Sequence, residues 1–250
     1  MLFAAFGGIA SAAFAVVFLW VPEEKSAWLL PHFVSFATGA LLGAALLALL
    51  PEAIEGAGTG GAHRIGFTLV LGLGVFFVIE KLVLWWHAHA HENGSHEHAR
   101  AHASGVLVLV GDSLHNALDG VLIAAAFLTN SSLGMLTTLA VSAHEIPHRV
   151  GDFAILVQAG LSRPRALLLN LATGLASVLG AALAWFALRQ ARGVLPYALA
   201  FAAAGFLYIA VAGLIPGLQR RADPRASTLQ VLLISGGVAV IACAERLAHH

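Results

Sequence analysis

The sequence predicts an all-α integral membrane protein, folded as one bundle of eight transmembrane helices. Apolar residues make up 59% of the 250 residues and charged residues only 10%, whereas about a quarter of a soluble domain is charged. Mean hydropathy is +0.86. Nearly uncharged stretches long enough to cross the hydrocarbon core recur along the chain. They use most of its length, so residues 1–250 are predicted to form a single membrane domain.

Eight spans are predicted, in chain order: 2–21, 29–50, 65–86, 104–128, 131–160, 166–188, 195–215 and 229–247. The first has no basic segment before it and is longer than the apolar core of a signal peptide, so a retained helix is expected. Frequent Gly and Ala within the spans suit close helix packing in lipid. The remaining long connection is a His-rich loop over residues 87–103.

Lys and Arg residues predict the orientation of the bundle. Eight lie in or beside the loops that follow odd-numbered spans, and four lie in even-numbered loops or at the C-terminal end. This bias places the odd-numbered loops in the cytoplasm and both termini outside. The Ala-rich, short-looped chain suggests a bacterial cytoplasmic membrane. Zero net charge indicates no nucleic-acid partner, and the single Cys243 excludes an internal disulfide and a cysteine-based zinc cluster.

The fourth and fifth spans carry most of the polar residues expected inside the membrane. On the fourth they are Asp112, His115, Asn116 and Asp119, and on the fifth His144, Glu145, His148, Arg149 and Asp152. Ionisable side chains at this depth cost a few kcal/mol each by insertion scales, so they indicate a function. At 100° per residue, the polar residues of each span other than Arg149 share an arc of about 100°.

Imidazoles and carboxylates on two facing helices are typical ligands of divalent metal ions. The mixed nitrogen and oxygen set favours Zn²⁺, with Fe²⁺, Mn²⁺, Co²⁺ and Cd²⁺ as further candidates, and the lack of a thiolate disfavours Cu(I). Pro147 removes one backbone N–H and frees the carbonyl of Ala143. Two interpretations of Pro147 are open: a passive kink, or a functional bend that leaves the Ala143 carbonyl available as a ligand or hydrogen-bond acceptor.

The patterns HNxxDG on the fourth span and HExPHxxGD on the fifth resemble the metal-site signatures of the ZIP (Zrt/Irt-like) transporters, in the subgroup with HExPH. The eight spans, the sequence Leu50-Pro51-Glu52-Ala53 and the His-rich loop fit the same family. The resemblance implies uptake of zinc, iron, manganese or cadmium towards the cytoplasm through a site that can hold two ions. It also implies an elevator-like movement of the fourth and fifth helices, commonly in a homodimer.

The resemblance also assigns roles by position. It implies a primary site of His115, Asp119, His144 and His148, with Asn116, Glu145 and again Asp119 or His148 contributing to an adjacent second ion. Asp112 and Asp152 are expected as relay or supporting groups that orient the imidazoles. Asn170 and Ser177 on the sixth span are further candidates to face the site.

Two positions depart from the family pattern. Many relatives read HExPHExGD, whereas Arg149 replaces the second glutamate here. Arg149 lies about 40° outside the ligand arc, so it is expected to point away from the metal or to pair with Asp152 or Glu145. Ala48 stands where many relatives carry a histidine or another ligand before the Pro-Glu pair, and its methyl group leaves a coordination position to water.

The His-rich loop is a separate candidate for weak metal binding. Six histidines fall within sixteen residues: His87, His89, His91, His96, His98 and His102. Such a tract binds metal weakly and can capture ions at the exit of a transporter, or it can serve only as a soluble linker.

An intramembrane zinc metalloprotease is the main alternative. His144-Glu145-Ile146-Pro147-His148 fits HExxH, with Glu145 as general base, and Leu118-Asp119-Gly120 fits the LDG element of such enzymes. However, LDG follows HExxH in those proteases and precedes it here, and Pro147 interrupts the turn that must hold both imidazoles. A cation-diffusion exporter would have six spans and a soluble metal-binding domain. A secondary transporter is therefore predicted, without a phosphate-binding loop for ATP.

Overall fold

The computed structural model is helical throughout, with no strand among the residues that it describes, which are 23–92, 97–220 and 224–248. The described α-helices, in chain order, are α1 (Glu23–Gly43), α2 (Leu50–Gly56), α3 (Ala62–Glu92), α4 (Glu97–Thr129), α5 (Ser131–Gln158), α6 (Arg163–Gln190), α7 (Leu195–Tyr208), α8 (Ile215–Gln219) and α9 (Pro224–Ala248). π-Helical turns at Ala44–Leu49 and Ile209–Leu214 join α1 to α2 and α7 to α8.

Six of the described helical segments are long and apolar enough to cross a membrane: Trp28–Gly56, Ala62–Leu82, Val108–Thr129, Arg163–Gln190, Arg192–Gln219 and Arg225–Leu247. Helix α5 is 28 residues long, about 42 Å, but it carries three charged side chains near its middle and is not among the six. The all-α membrane fold is thus confirmed. The count of eight spans stays a prediction, since the first span, 2–21, lies outside the described residues.

The connection predicted over residues 87–103 is largely helical. Helix α3 continues to Glu92 and α4 begins at Glu97, so the predicted loop was too long at both ends. Its histidines therefore lie on helix ends, except His96, which lies outside the described residues. In α5 the helix also continues through Pro147, so this proline does not end it.

Large apolar side chains cover the outside of the bundle. On α6, Leu168, Leu175, Leu179 and Leu183 are each 64–72% exposed. Their spacing of seven, four and four residues places them on one helical face. Exposed leucines in such a stripe are costly in water and favourable in lipid, which agrees with a membrane-facing surface.

Glycines allow the backbones of α4 and α6 to touch. A Cβ atom at Gly120 would lie 1.9 Å from the carbonyl oxygen of Ser177, and one at Gly180 would lie 2.0 Å from that of Ala117. These distances leave no space for any side chain. In the bilayer, such close contact supplies the packing that stabilises helix association, and it fixes α6 against the polar segment of α4.

Replacing Gly180 by valine should therefore destabilise the fold by about 3 kcal/mol, the upper end of ordinary overpacking costs. The matched control is Gly74→Val in α3, where an added Cβ would meet nothing within 4 Å. Thermal unfolding of both variants in detergent micelles would measure the difference. Equal unfolding temperatures for the two variants would contradict close packing of α4 on α6.

The polar helices form one packed group within the bundle. Helix α4 packs along α6 and α5, while α1 packs along α9 and α3 along α7. Contacts of α5 with α1, and of α4 with α3 and α7, join these sets of helices. The buried centre is rich in alanine and contains few large side chains. The polar residues of the fourth and fifth spans thus face one another inside the α4–α5–α6 group.

Candidate metal centre

A first cluster of four metal-ligand side chains lies between α4 and α5. It consists of His115, Asp119, His144 and Glu145, each of which offers one ligand atom within 4.8 Å of the others. His115 and Asp119 are one turn apart, so they project from the same face of α4. Asp119, His144 and Glu145 are 2–3% exposed, and His115 is less buried. We call this set the inner cluster.

Three of its ligand atoms form a nearly equilateral triangle. The Nε2 atoms of His115 and His144 are 3.2 Å apart, and Oδ2 of Asp119 lies 3.6 Å from each of them. Two ligands bound to a tetrahedral zinc ion at 2.0–2.1 Å are about 3.4 Å apart. The triangle therefore has the dimensions of three ligands around one zinc ion.

The ring of His144 is oriented by its own helix. Its Nδ1 lies 3.3 Å from the carbonyl oxygen of Ala140, which leaves Nε2 to face the cluster. A metal-binding imidazole commonly gives its other nitrogen to such a backbone carbonyl. Oε2 of Glu145 lies 4.0 Å from Nε2 of His144, at the edge of the same space.

A second group adjoins the inner cluster, and we call it the outer cluster. It consists of Asp112, His148 and Asp152, whose ligand atoms also lie within 4.8 Å of one another. The His148 side chain is 49% exposed, and its Nε2 lies 3.9 Å from Oδ2 of Asp152. The rings of His148 and His115 have centroids 5.1 Å apart, so the two clusters are neighbours.

The structure divides the predicted ligands differently from the family pattern. His148 belongs to the outer cluster, whereas the resemblance implied that it joins His144 in the primary site and offered it, or Asp119, as a further ligand of a second ion. Glu145 belongs to the inner cluster, whereas a role at a second ion was implied. His144 and His148 belong to different clusters. They are therefore not arranged to bind one zinc ion together, as the two histidines of an HExxH protease must.

Asp112 is held by side chains of α4 and α6. It accepts a hydrogen bond of 2.8 Å from Nδ2 of Asn116 and another from the hydroxyl of Thr173. Thr173 also contacts the carbonyl oxygen of Asn170 at 2.7 Å. These bonds fix the carboxylate at the rim of the outer cluster, consistent with a supporting role.

Arg149 points into the polar interior, and its side chain is 0% exposed. Its Nη2 lies 2.8 Å from Oε1 of Glu145 and donates to Oδ1 of Asn116 at 3.2 Å. Its Nη1 donates to the carbonyl oxygen of Asn170 at 2.6 Å. The sequence offered Asp152 and Glu145 as partners of Arg149, and in the structure Arg149 pairs with Glu145. It also contacts Asn116 and Asn170, which were not expected as its partners.

Helix α6 carries buried polar residues, of which the sequence offered Asn170 and Ser177 as candidates but not Thr173. Asn170, Thr173, Gly174 and Ser177 follow one another at helical spacing, and all but Gly174 are buried polar residues. This i, i+3, i+4, i+7 stripe was the available signal. Asn170 contacts the site, whereas Ser177 lies against Gly120. Ala48 is buried in the apolar core, and the side chains of His87, His89, His91, His96 and His98 lie outside the described ones.

The site has more carboxyl groups than cationic side chains, and several of its oxygens have no hydrogen-bond partner in the described part of the chain. Four carboxylates, those of Asp112, Asp119, Glu145 and Asp152, are buried beside the guanidinium of Arg149. Among the described residues, Oδ2 of Asp119, Oε2 of Glu145 and Oδ2 of Asp152 accept no hydrogen bond. Buried charge without compensation is costly, and a divalent cation held by these oxygens and the imidazoles would supply the compensation.

The fold and site together define a polytopic helical membrane protein with a buried imidazole and carboxylate centre between two of its helices. The family model for the ZIP Zinc transporter matches residues 1–105 and 100–245. Zinc transporter ZIP13 of Pongo abelii is 37% identical over 232 residues, covering 88% of this chain and 68% of that protein. ZIP13 of Homo sapiens is 34% identical with 88% and 71% coverage, and zinc transporter SLC39A7 of Rattus norvegicus is 32% identical with 93% and 69% coverage. The chain belongs to the ZIP zinc transporter family.

Proposed function

We propose that this protein carries Zn²⁺, and with lower preference Fe²⁺, Mn²⁺ or Cd²⁺, across the membrane into the cytoplasm. The observation that supports this most directly is the triangle of His115, Asp119 and His144, whose 3.2–3.6 Å edges fit one zinc ion. The names of the relatives, all zinc transporters, support the same ion. Zinc is here the transported substrate, and no chemical reaction is required.

Binding neutralises much of the charge that the site must carry through the bilayer. A divalent ion that enters the inner cluster exchanges its water for imidazole nitrogen and carboxylate oxygen, which are suitable ligands for zinc. The ion and the carboxylates of Asp119 and Glu145 compensate one another. This lowers the cost of moving the occupied site past an apolar barrier, because an isolated charge at that depth is strongly unfavourable.

The outer cluster is proposed as the next position of the ion on its way to the cytoplasm. Helix α4 starts at the loop that the charge bias places inside, so Asp112 lies nearer the cytoplasm than Asp119. Helix α5 runs in the opposite direction, so Asp152 lies nearer the cytoplasm than His144. His148, half exposed, is the member of the outer cluster whose ring lies beside His115 of the inner cluster. The His-rich segment on the same side would then bind the released ion weakly.

The moving unit is proposed to be the group of α4, α5 and α6, displaced against the other helices as an elevator. Support comes from the glycine contacts that join α4 to α6 and from the bonds of Arg149 to residues of both helices. A homodimer, both termini outside and a bacterial cytoplasmic membrane complete this proposal. Alternating access of this kind needs no ATP.

Uptake of ⁶⁵Zn²⁺ into proteoliposomes tests this function. The wild-type protein should give saturable uptake, and the double variant His144→Ala, His148→Ala, which removes one imidazole from each cluster, should lose it. His63→Ala is the control, because His63 is exposed at the start of α3 and should transport as the wild type does. Wild-type flux equal to that of empty liposomes would contradict the proposal. Competition by Fe²⁺, Mn²⁺ and Cd²⁺ would rank the preferred ions.

A further inference from the structure

We propose that the guanidinium of Arg149 takes the place of a second metal ion, so that the Asn116–Glu145 side of the centre holds a fixed protein cation. The inner cluster would then carry a single divalent ion. This inference rests on the proposed function, since it concerns the number of ions at the same site. It replaces the two-ion site that the family pattern implies.

The contacts of Arg149 support this directly. Two of the side chains that the family pattern assigns to a second ion, Asn116 and Glu145, both direct an oxygen at Nη2 of Arg149. The distances are 3.2 Å to Asn116 Oδ1 and 2.8 Å to Glu145 Oε1. Both acceptors are about 97% buried, so the guanidinium is their available cationic partner.

A metal ion and this guanidinium cannot share those oxygens. A divalent ion bound to both oxygens would have to lie about 2.0–2.2 Å from each of them, close to the space that Nη2 of Arg149 already occupies. Like charges at such a distance repel strongly where little water screens them. Occupancy by one cation therefore excludes the other, as long as Arg149 keeps its position.

Helix α6 keeps Arg149 in that position. Nη1 donates to the backbone oxygen of Asn170 at 2.6 Å, and Nδ2 of Asn170 donates back to the backbone oxygen of Arg149 at 3.0 Å. Gly174 provides the space, because a Cβ atom there would lie 2.9 Å from Nη2. The arginine is thus bound at both its backbone and its guanidinium, and swinging it aside would break several buried bonds.

The second oxygen of Glu145 remains free for the inner cluster. Oε1 lies 2.8 Å from Nη2 of Arg149, whereas Oε2 lies 4.0 Å from His144 Nε2; neither oxygen accepts a hydrogen bond from a described residue. Glu145 therefore has one oxygen toward the protein cation and one toward the transported ion. This division lets the carboxylate bridge two cations, of which only one is a metal.

Counting bound zinc in purified full-length protein tests the inference. The variants are Arg149→Lys, which keeps a cation, Arg149→Gln, which removes it, and Arg149→Glu, which restores the glutamate of many relatives. Equilibrium dialysis followed by elemental analysis would give zinc ions per chain. The outer cluster and the His-rich segment have the same residues in all variants. A difference in the number of bound zinc ions therefore reflects binding at the Asn116–Glu145 side of the centre.

We expect equal counts for the wild type and Arg149→Lys, and one more ion in Arg149→Glu. That extra ion should be lost again when Asn116→Ala is added. Arg149→Gln also removes the cation but adds no negative charge, so it serves as a second test if Arg149→Glu misfolds. It should also bind one more ion than the wild type. Monodisperse Arg149→Glu and Arg149→Gln proteins that both bind the wild-type number of ions would overturn the inference.

A His144→Ala variant separates this result from failure of the proposed function. If it binds as much zinc as the wild type, with equal affinity, the inner cluster holds no ion and the transport proposal fails. If it loses one ion while the Arg149 variants gain none, transport through the inner cluster stands and only the single-ion inference falls.

Discussion

Replacing Asp119 by asparagine is expected to weaken zinc binding to the inner cluster by on the order of 100-fold or more, and to abolish measurable zinc uptake. Loss of groups that only support a metal ligand already costs about 10- to 100-fold in affinity, and Asp119 is placed as a ligand itself. Zinc titration of the purified variant, together with ⁶⁵Zn²⁺ flux in proteoliposomes, would measure both effects.

The geometry explains why this small change should have a large effect. Oδ2 of Asp119 lies 3.6 Å from both imidazole nitrogens and accepts no hydrogen bond from a described residue. An amide in its place keeps the size of the side chain but removes its negative charge. Two neutral imidazoles and Glu145, already paired with Arg149, would then face a divalent ion in a poorly solvated space.

Glu55→Gln is the matched control for this substitution. It also changes a carboxylate to an amide, but Glu55 is exposed at the end of α2, away from the centre. Its binding and uptake should equal those of the wild type. Asp119→Asn protein that is folded and binds zinc with wild-type affinity would exclude Asp119 as a ligand and leave the triangle without its oxygen.

The membrane fold could be predicted from the sequence because hydropathy reports directly which segments suit lipid. The helical arcs were equally informative, since the side chains placed on one face of α4 and one face of α5 do meet. The arcs carry no axial information, however. His144 and His148 share a face, as His115 and Asp119 do at the same spacing of one turn, yet the first pair is divided between two clusters and the second pair lies in one.

Arg149 shows a second limit of angular reasoning. Its Cα lies outside the ligand arc, so the sequence left two possibilities open, a side chain directed away from the metal or one paired with Asp152 or Glu145. The side chain pairs with Glu145, and it also reaches Asn116 on α4 and Asn170 on α6. A partner on another helix depends on which helices are neighbours, and the chain order alone did not reveal that α6 packs along α4.

The α4–α6 contact was hidden for a related reason. Gly120 and Gly180 are two of 26 glycines in the chain, and most glycines in the spans look alike in sequence. Only the structure shows which of them touch a backbone carbonyl. The same contact brings Thr173 and Asn170 to the site. Asn170, which holds Arg149, was a candidate from the sequence, but Thr173, which holds Asp112, was not.

Replacing Arg149 by methionine is expected to destabilise the zinc-free protein by about 3–5 kcal/mol, the usual result of removing one partner of a buried ion pair. Most of this cost comes from Glu145, which stays buried but loses its cation. Unfolding in detergent with a chelator present would measure it. Arg189→Met is the control, because Arg189 is exposed near the end of α6 and its loss should change stability by less than about 0.5 kcal/mol.

Adding Glu145→Gln to Arg149→Met should recover a large part of that loss, since the double variant no longer buries an unpaired charge. The double-mutant cycle isolates the interaction between the two residues, which is expected to reach about 1–3 kcal/mol for groups in direct contact. Strictly additive single effects would mean that Arg149 stabilises the fold through Asn116 and Asn170 and not through Glu145. A large coupling would show that the guanidinium and the carboxylate compensate one another, as a protein cation in the place of a metal ion must do.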